Sequence, residues 1–244
     1  MPEQPIVFEV ELETRLGPIR GRIPIERRPM RLAELVPQAL ALADLLVRRA
    51  IEHEARDGRP ISCRRGCAAC CRHPVPLSMP EVFFVADRVN ALAAREQTAR
   101  VARFRAAEGQ LERLGVARIW LGDDYDDARA YDAALELLRR RFDCPFLDEE
   151  TCAVHPDRPL RCREYNVTSP AAWCSDSERH AVQAVAVGTP LSTPLARLAA
   201  ERTGTPLRLV PLALALRFTE QHRDLAERTW PGPDLFQGFL DHFY

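Results

Sequence analysis

Cysteine is the residue type in this chain whose spacing carries chemistry. Four thiols, Cys63, Cys67, Cys70 and Cys71, fall within nine positions, and Cys144, Cys152 and Cys162 form a second group. Thiolates are soft donors that hold zinc or iron, and a closed site takes about four of them. Short spacings such as Cys67 to Cys70 supply two donors at little closure entropy. Recruiting the distant group costs more, but only logarithmically with loop length. The opening residues, MPEQPIVFEVELETR, lack the positive start and apolar run of a secretory signal, and no stretch approaches a membrane span. The expectation is a cytoplasmic protein. In that reducing compartment eight cysteines point to metal ligation or redox chemistry rather than a disulfide framework.

Two features favour an iron-sulfur cluster over zinc. Cys144-Pro145 matches the cysteine-proline ending of bacterial cluster runs, and the adjacent pair Cys70 and Cys71 fits awkwardly on one tetrahedral ion. Two zinc ions, or one ion with spare thiols, stay open. Arg64, Arg65, Arg72, Arg158, Arg161 and Arg163 lie beside the thiols in sequence, placed to offset thiolate charge or to donate to sulfur. With thiols in excess, His73 reads as a bystander. Cys174, beside Trp173 and outside both groups, reads as a buried free thiol in preference to a peripheral ligand.

Cys63, Cys67, Cys70, Cys71, then Leu77-Ser78 with Glu81, then Cys144-Pro145-Phe146-Leu147, Cys152, Arg158-Pro159 and Cys162-Arg163 together resemble the bacterial CxxCxxCC family of zinc- or iron-chelating proteins. These motifs lie between residues 63 and 165, the middle of the chain, and the two segments together are far more specific than either alone. The resemblance implies metal binding without a settled reaction. His155 stands where the family pattern leads one to expect an aromatic residue. The cysteines alone also resemble those of flagellin lysine N-methylase, which would imply a cluster and methyl transfer. Cys63-x3-Cys67-x2-Cys70 has the spacing of the radical S-adenosylmethionine signature, but the regular strand-helix alternation of that barrel is missing.

Other functions are disfavoured. A formal charge of -1 provides no basic surplus for nucleic acid. All 34 basic residues are arginine, which with abundant Ala, Leu and Pro suits a GC-rich bacterial genome. The missing lysine excludes a Schiff-base amine and a phosphate-loop lysine. No glycine-rich nucleotide motif occurs. The acidic run Asp123, Asp124, Asp126 and Asp127 lacks the glycine and distal glutamate of a calcium loop and suits a helix N-terminus instead.

The elements that must position the thiols follow from hydrophobic period. Ile6 to Ile25 alternates about Gly17-Pro18 and predicts a hairpin. Leu35, Val36, Ala39, Leu40, Ala43, Leu46, Val47, Ala50 and Ile51 predict a helix stopping near Gly58, with Pro37 in its first turns. Ser78 and Glu81 form a capping-box pattern, so a helix should start just past the first thiols and run, with a break, through Val82, Val85, Val89, Leu92, Val101, Phe104, Leu111 and Leu114. Tyr131, Ala134, Leu135 and Leu138 predict another helix with its apolar stripe in the core, ending before Cys144-Pro145; the second thiol segment should then be irregular. Leu195 to Ala200, Leu212 to Phe218 and Leu235 to Phe243 read as short helices.

The expected protein is mainly α with a small N-terminal β-hairpin and an irregular cysteine-rich metal site between helices. Residues 1–28 form the hairpin segment, 29–175 the metal-binding core and 176–244 a helical extension. Its expected function is metal binding, preferably as an iron-sulfur cluster. Cluster-dependent methyl transfer or S-adenosylmethionine chemistry, and a zinc-thiolate redox switch, are the alternatives.

Overall fold

The computed structural model describes residues 4–188 and 190–243. Residues 1–3, 189 and 244, which include the ends of the expected hairpin segment and C-terminal extension, lie outside the described residues. Alternation builds the hairpin as expected: β1 (Ile6–Leu12) pairs antiparallel with β2 (Ile19–Ile25). Val10, Leu12, Ile19, Ile23 and Ile25 point into the core while Glu9, Glu11, Arg20 and Arg22 stay in water. Phe8 of this hairpin meets Phe236 edge-on at 4.9 Å, so the N-terminal strands rest against the C-terminal part of the chain.

β3 (Pro29–Arg31) and a 3-10 turn lead into α1 (Val36–Arg56). Pro37 sits in its first turn, where a missing N–H costs nothing. β4 (Pro76–Ser78) leads directly into α2 (Met79–Asn90), and after the expected break α3 (Ala94–Arg113), α4 (Ala117–Leu121) and α5 (Asp127–Arg140) follow. Next come β5 (Leu147–Asp148), β6 (Thr151–Cys152), α6 (Leu160–Glu164) and α7 (Ser192–Thr203). β7 (Leu209–Pro211), α8 (Ala215–Gln221), α9 (Arg223–Glu227), β8 (Thr229–Pro231) and α10 (Gly232–Asp241) complete the chain. The protein is mainly α. Its sheets, among the described residues, are two-stranded and antiparallel, so no parallel barrel of the radical-enzyme type is built. No helix among the described residues is long and apolar enough to cross a membrane.

Two of these ribbons join residues far apart in sequence. β3 pairs with β8, setting Met30 opposite Trp230, and β4 pairs with β7, setting Leu77 opposite Val210. One continuous apolar core results, containing Leu12 and Ile25 of the hairpin, Val82 and Phe83 of α2, Phe218 of α8 and Phe236 of α10. Burying each side chain of this size contributes about 1.5–3 kcal/mol.

One expectation is corrected. α5 forms, but it buries Ala130, Ala133 and Leu137; of the expected stripe Ala134 and Leu138 are half-buried, while Tyr131 and Leu135 face outward, 66% and 38% exposed. Its N-terminus is capped by Asp126, whose carboxylate accepts from the Arg129 amide at 2.8 Å, so the acidic run does serve a helix start. The second thiol segment is made of turns and short pieces: the two-residue strands of the β5–β6 hairpin, a 3-10 turn at His155–Asp157 and the five-residue α6.

Candidate metal centre

The first thiol segment is a pair of tight turns. The Cys67 amide donates to the Arg64 carbonyl at 3.0 Å, and Gly66 takes the positive φ, 82°, that the third position of a type II turn requires. A 3-10 turn, Ala69–Arg72, then presents Cys70 and Cys71. The second segment reaches Cys71 directly, its Cys144 amide donating to the Cys71 carbonyl at 2.8 Å. Arg72 adds ion pairs to Asp143, at 3.1 Å, and to Glu150 in the β5–β6 turn. That turn places Glu149 and Glu150 at φ of 43° and 60°, a left-handed conformation most side chains avoid, and so aims Cys152 of β6 inward.

Cys162 is carried by α6, whose start is fixed by a buried carboxylate. Glu81, 1% exposed, accepts from the Leu160 amide at 2.9 Å with one oxygen and from the Ser78 amide and hydroxyl, at 3.0 and 2.7 Å, with the other. The capping residue at the head of α2 therefore also anchors the helix bearing a thiol from the other segment. Arg163 ties the same helix to α1 through Asp44 at 2.6 Å. Cys63 is held from a third direction, its sulfur accepting from the Val167 amide at 3.4 Å.

The seven thiols are half-buried and unpaired by disulfides, and Cys63, Cys71, Cys144, Cys152 and Cys162 lie near enough to Cys70 to interact with it. A hydrogen bond to Cys71, followed by burial, raises Cys70. Burial pushes Cys144 up to about 12, with Cys152 and Cys70 acting the same way. Cys162 is raised well above the ordinary thiol range by burial, then by Cys144, Cys70 and Cys152. Burial raises Cys63, and Cys67 and Cys70 add to it. Both expected segments thus converge on one volume. Among the described residues, however, no three His, Cys, Asp or Glu side chains close on a point as a finished ion site.

Arg158 lowers Cys63, Cys70 and Cys152 against their burial, and Arg100 does the same to Cys144 and Cys152; a terminal nitrogen of Arg158 meets His155, and its Nε is buried without a hydrogen-bond partner among the described residues. Arg72 and Arg163 are instead occupied by carboxylates, while Arg161 has only a 3.7 Å ion pair to Glu164. Cys174 is buried, as expected, and borders the cluster: Tyr165 hydrogen-bonds it, while burial first and Cys70, Cys63 and Cys67 next push it up to about 11. His73 turns its Nε2 to the Cys174 carbonyl at 2.7 Å, away from a ligand role at that nitrogen.

With this geometry stands one match. The model of the CxxCxxCC family, described as "Putative zinc- or iron-chelating domain", covers residues 62–185, just over half the chain. The chain belongs to the CxxCxxCC family. No curated protein and no solved structure matches it. The CxxCxxCC span begins one residue before Cys63 and ends beyond Cys174, so it takes in all eight thiols.

Sequence reasoning missed Arg100, one turn-length of spacing giving no hint that α3 reaches the second segment. Only 5% exposed, it donates to the Pro145 carbonyl at 2.6 Å and to Asp148 at 2.7 Å, and its guanidinium lies 5.4 Å from the Phe146 ring centre. It is the clamp on the Cys144 loop of this CxxCxxCC domain. Arg100→Leu should cost about 2–4 kcal/mol, because a buried carbonyl and a carboxylate lose charge-assisted donors. Thermal unfolding should show that loss, and metal content should fall with it. Arg100→Lys, which cannot reach both acceptors as a fork, should lie between.

Proposed function

We propose that Cys63, Cys67, Cys70, Cys71, Cys144, Cys152 and Cys162 supply the ligands of one metal centre, an iron-sulfur cluster in preference to zinc, in a cytoplasmic protein. The observation that carries this reading is the meeting of the two thiol segments, the Cys144 amide on the Cys71 carbonyl at 2.8 Å, beside an Arg158 Nε that is buried with no hydrogen-bond partner among the described residues. Seven soft donors exceed what one tetrahedral ion takes, and a guanidinium beside them is matched to anionic sulfur. A bound centre would supply electron-transfer or Lewis-acid chemistry. The chain's part is to hold the thiols, with Glu81 fixing α6 and Arg100 fixing the Cys144 loop.

Anaerobic purification followed by iron, acid-labile sulfide and zinc analysis tests this. Brown protein with matching iron and sulfide is the expected result. Colourless protein with stoichiometric zinc would replace the cluster by a zinc-thiolate site, and neither metal in replete medium would overturn metal ligation.

Protonation provides a second check. Raised thiol pKa values mean that the metal-free fold holds protons which the unfolded chain gives up, so stability present below about pH 9 is lost as pH rises towards 12. Metal binding must displace those protons, so occupancy should move the opposite way, falling on acidification. Denaturant unfolding of metal-free protein at pH 8 and 10, set against metal retention at pH 8 and 5.5, should show the two opposed slopes.

A further inference from the structure

The outward stripe of α5 is one wall of a cavity of about 550 Å³, inside the range that holds small-molecule ligands. The cavity is lined mainly by apolar and aromatic side chains, and its inner wall includes Cys70 and Cys162. The described residues contain four exposed large hydrophobics, and three of them, Tyr131, Leu135 and Leu207, line this one space. Scattered apolar residues need no explanation, but their concentration in one concave site does.

The polar groups of the lining narrow the ligand. Its histidine, His73, has Nε2 committed to the Cys174 carbonyl, and the hydroxyls of Tyr165 and Tyr125 are engaged by Cys174 and Asp127. Arg161 is different. Its side chain is 43% exposed, its one described carboxylate contact is an ion pair to Glu164 at 3.7 Å, and no protein acceptor hydrogen-bonds it among the described residues. A donor-only cation with free N–H groups, set in an apolar cavity, is best satisfied by a carboxylate, which accepts two of them side by side.

We propose that this cavity binds a small carboxylate with an apolar body, its head at Arg161 beside the thiol cluster and its body between the outward stripe of α5 and Leu207. Such a molecule would be delivered to the edge of the metal centre, yet its binding rests on the lining alone and does not require the metal reading to hold.

The test is calorimetric titration of the anaerobically purified full chain with octanoate, octan-1-ol and octylammonium. Octanoate should bind once per chain, at least about tenfold more tightly than the alcohol because of its charge-assisted bonds, and octylammonium should bind more weakly still. Leu135→Glu, at an exposed position that the fold tolerates, should weaken octanoate and octanol alike by at least about tenfold, since a carboxylate then stands in the apolar wall. Arg161→Gln should erase the preference for octanoate while leaving octanol unchanged. Absence of saturable octanoate binding, equal affinity for acid and alcohol, or indifference to Leu135→Glu would each overturn the proposal. Metal content measured on the same samples reports separately on the centre: a metal-free chain that still binds octanoate would sink the metal reading and keep this one.

Discussion

Serine at Cys162 is expected to remove most of the metal, and serine at Cys67 to do the same, although the two positions belong to different segments. A hydroxyl is a harder, less acidic donor than a thiol and replaces a soft thiolate poorly. If the centre is shared, one lost ligand in either segment opens it, and the segments then lose the link that outweighs their loop-closure cost. Structural thiolate sites contribute about 10–16 kcal/mol in zinc peptides. Forfeiting even about 3 kcal/mol of such a contribution would lower the melting temperature by about 6–12 °C for a chain of this length. Cys174→Ser should retain nearly all the metal, because that thiol borders the group and is bonded to Tyr165. Metal analysis and thermal unfolding of the three variants, prepared without oxygen, give the answer. Full retention in Cys162→Ser with loss in Cys67→Ser would mean separate sites, and strong loss in Cys174→Ser would extend the ligand set.

Glu81→Ala is expected to be the most damaging substitution away from the thiols. It strands three buried donors, the Ser78 amide and hydroxyl and the Leu160 amide, each costing about 1–3 kcal/mol when left unsatisfied. The total, about 3–9 kcal/mol, is a large part of the stability of an ordinary domain. Glu81→Gln should cost less. The Ser78 hydroxyl can turn to accept from the new amide, but one backbone N–H then faces another donor whichever way the amide points. Because the Leu160 bond starts α6, metal occupancy should fall in both variants in the order of their instability. Urea unfolding with metal analysis checks this; an Ala variant as stable as the parent would refute the anchoring role.

How far these positions were legible in the sequence differs for a physical reason in each case. The hairpin, α1, the cap at Ser78 and the two thiol segments are visible as local period, local capping chemistry and local spacing, and those properties survive without tertiary context. Glu81 was visible only as a helix cap, since its second bond goes to Leu160, 79 residues later. Arg100 was invisible, because nothing local marks a helix arginine that stacks on Phe146 and holds the Cys144 loop.

The stripe on α5 shows where sequence reasoning ends. Period 3.6 reveals that Tyr131, Ala134, Leu135 and Leu138 share a face, but not what covers that face. Packing decided it: Ala130, Ala133 and Leu137 fill the narrow contact with the core, and the bulkier stripe is left lining a cavity. Hydrophobic period and cysteine spacing by themselves marked a thiol-rich, mainly helical chain, and its paired motifs carried the resemblance to the CxxCxxCC family. Only the tertiary structure decided that its two segments meet, that Arg158 bears on thiols of both, and that an apolar cavity opens beside them. Each of those depends on contacts between residues far apart in the chain, which no local pattern encodes.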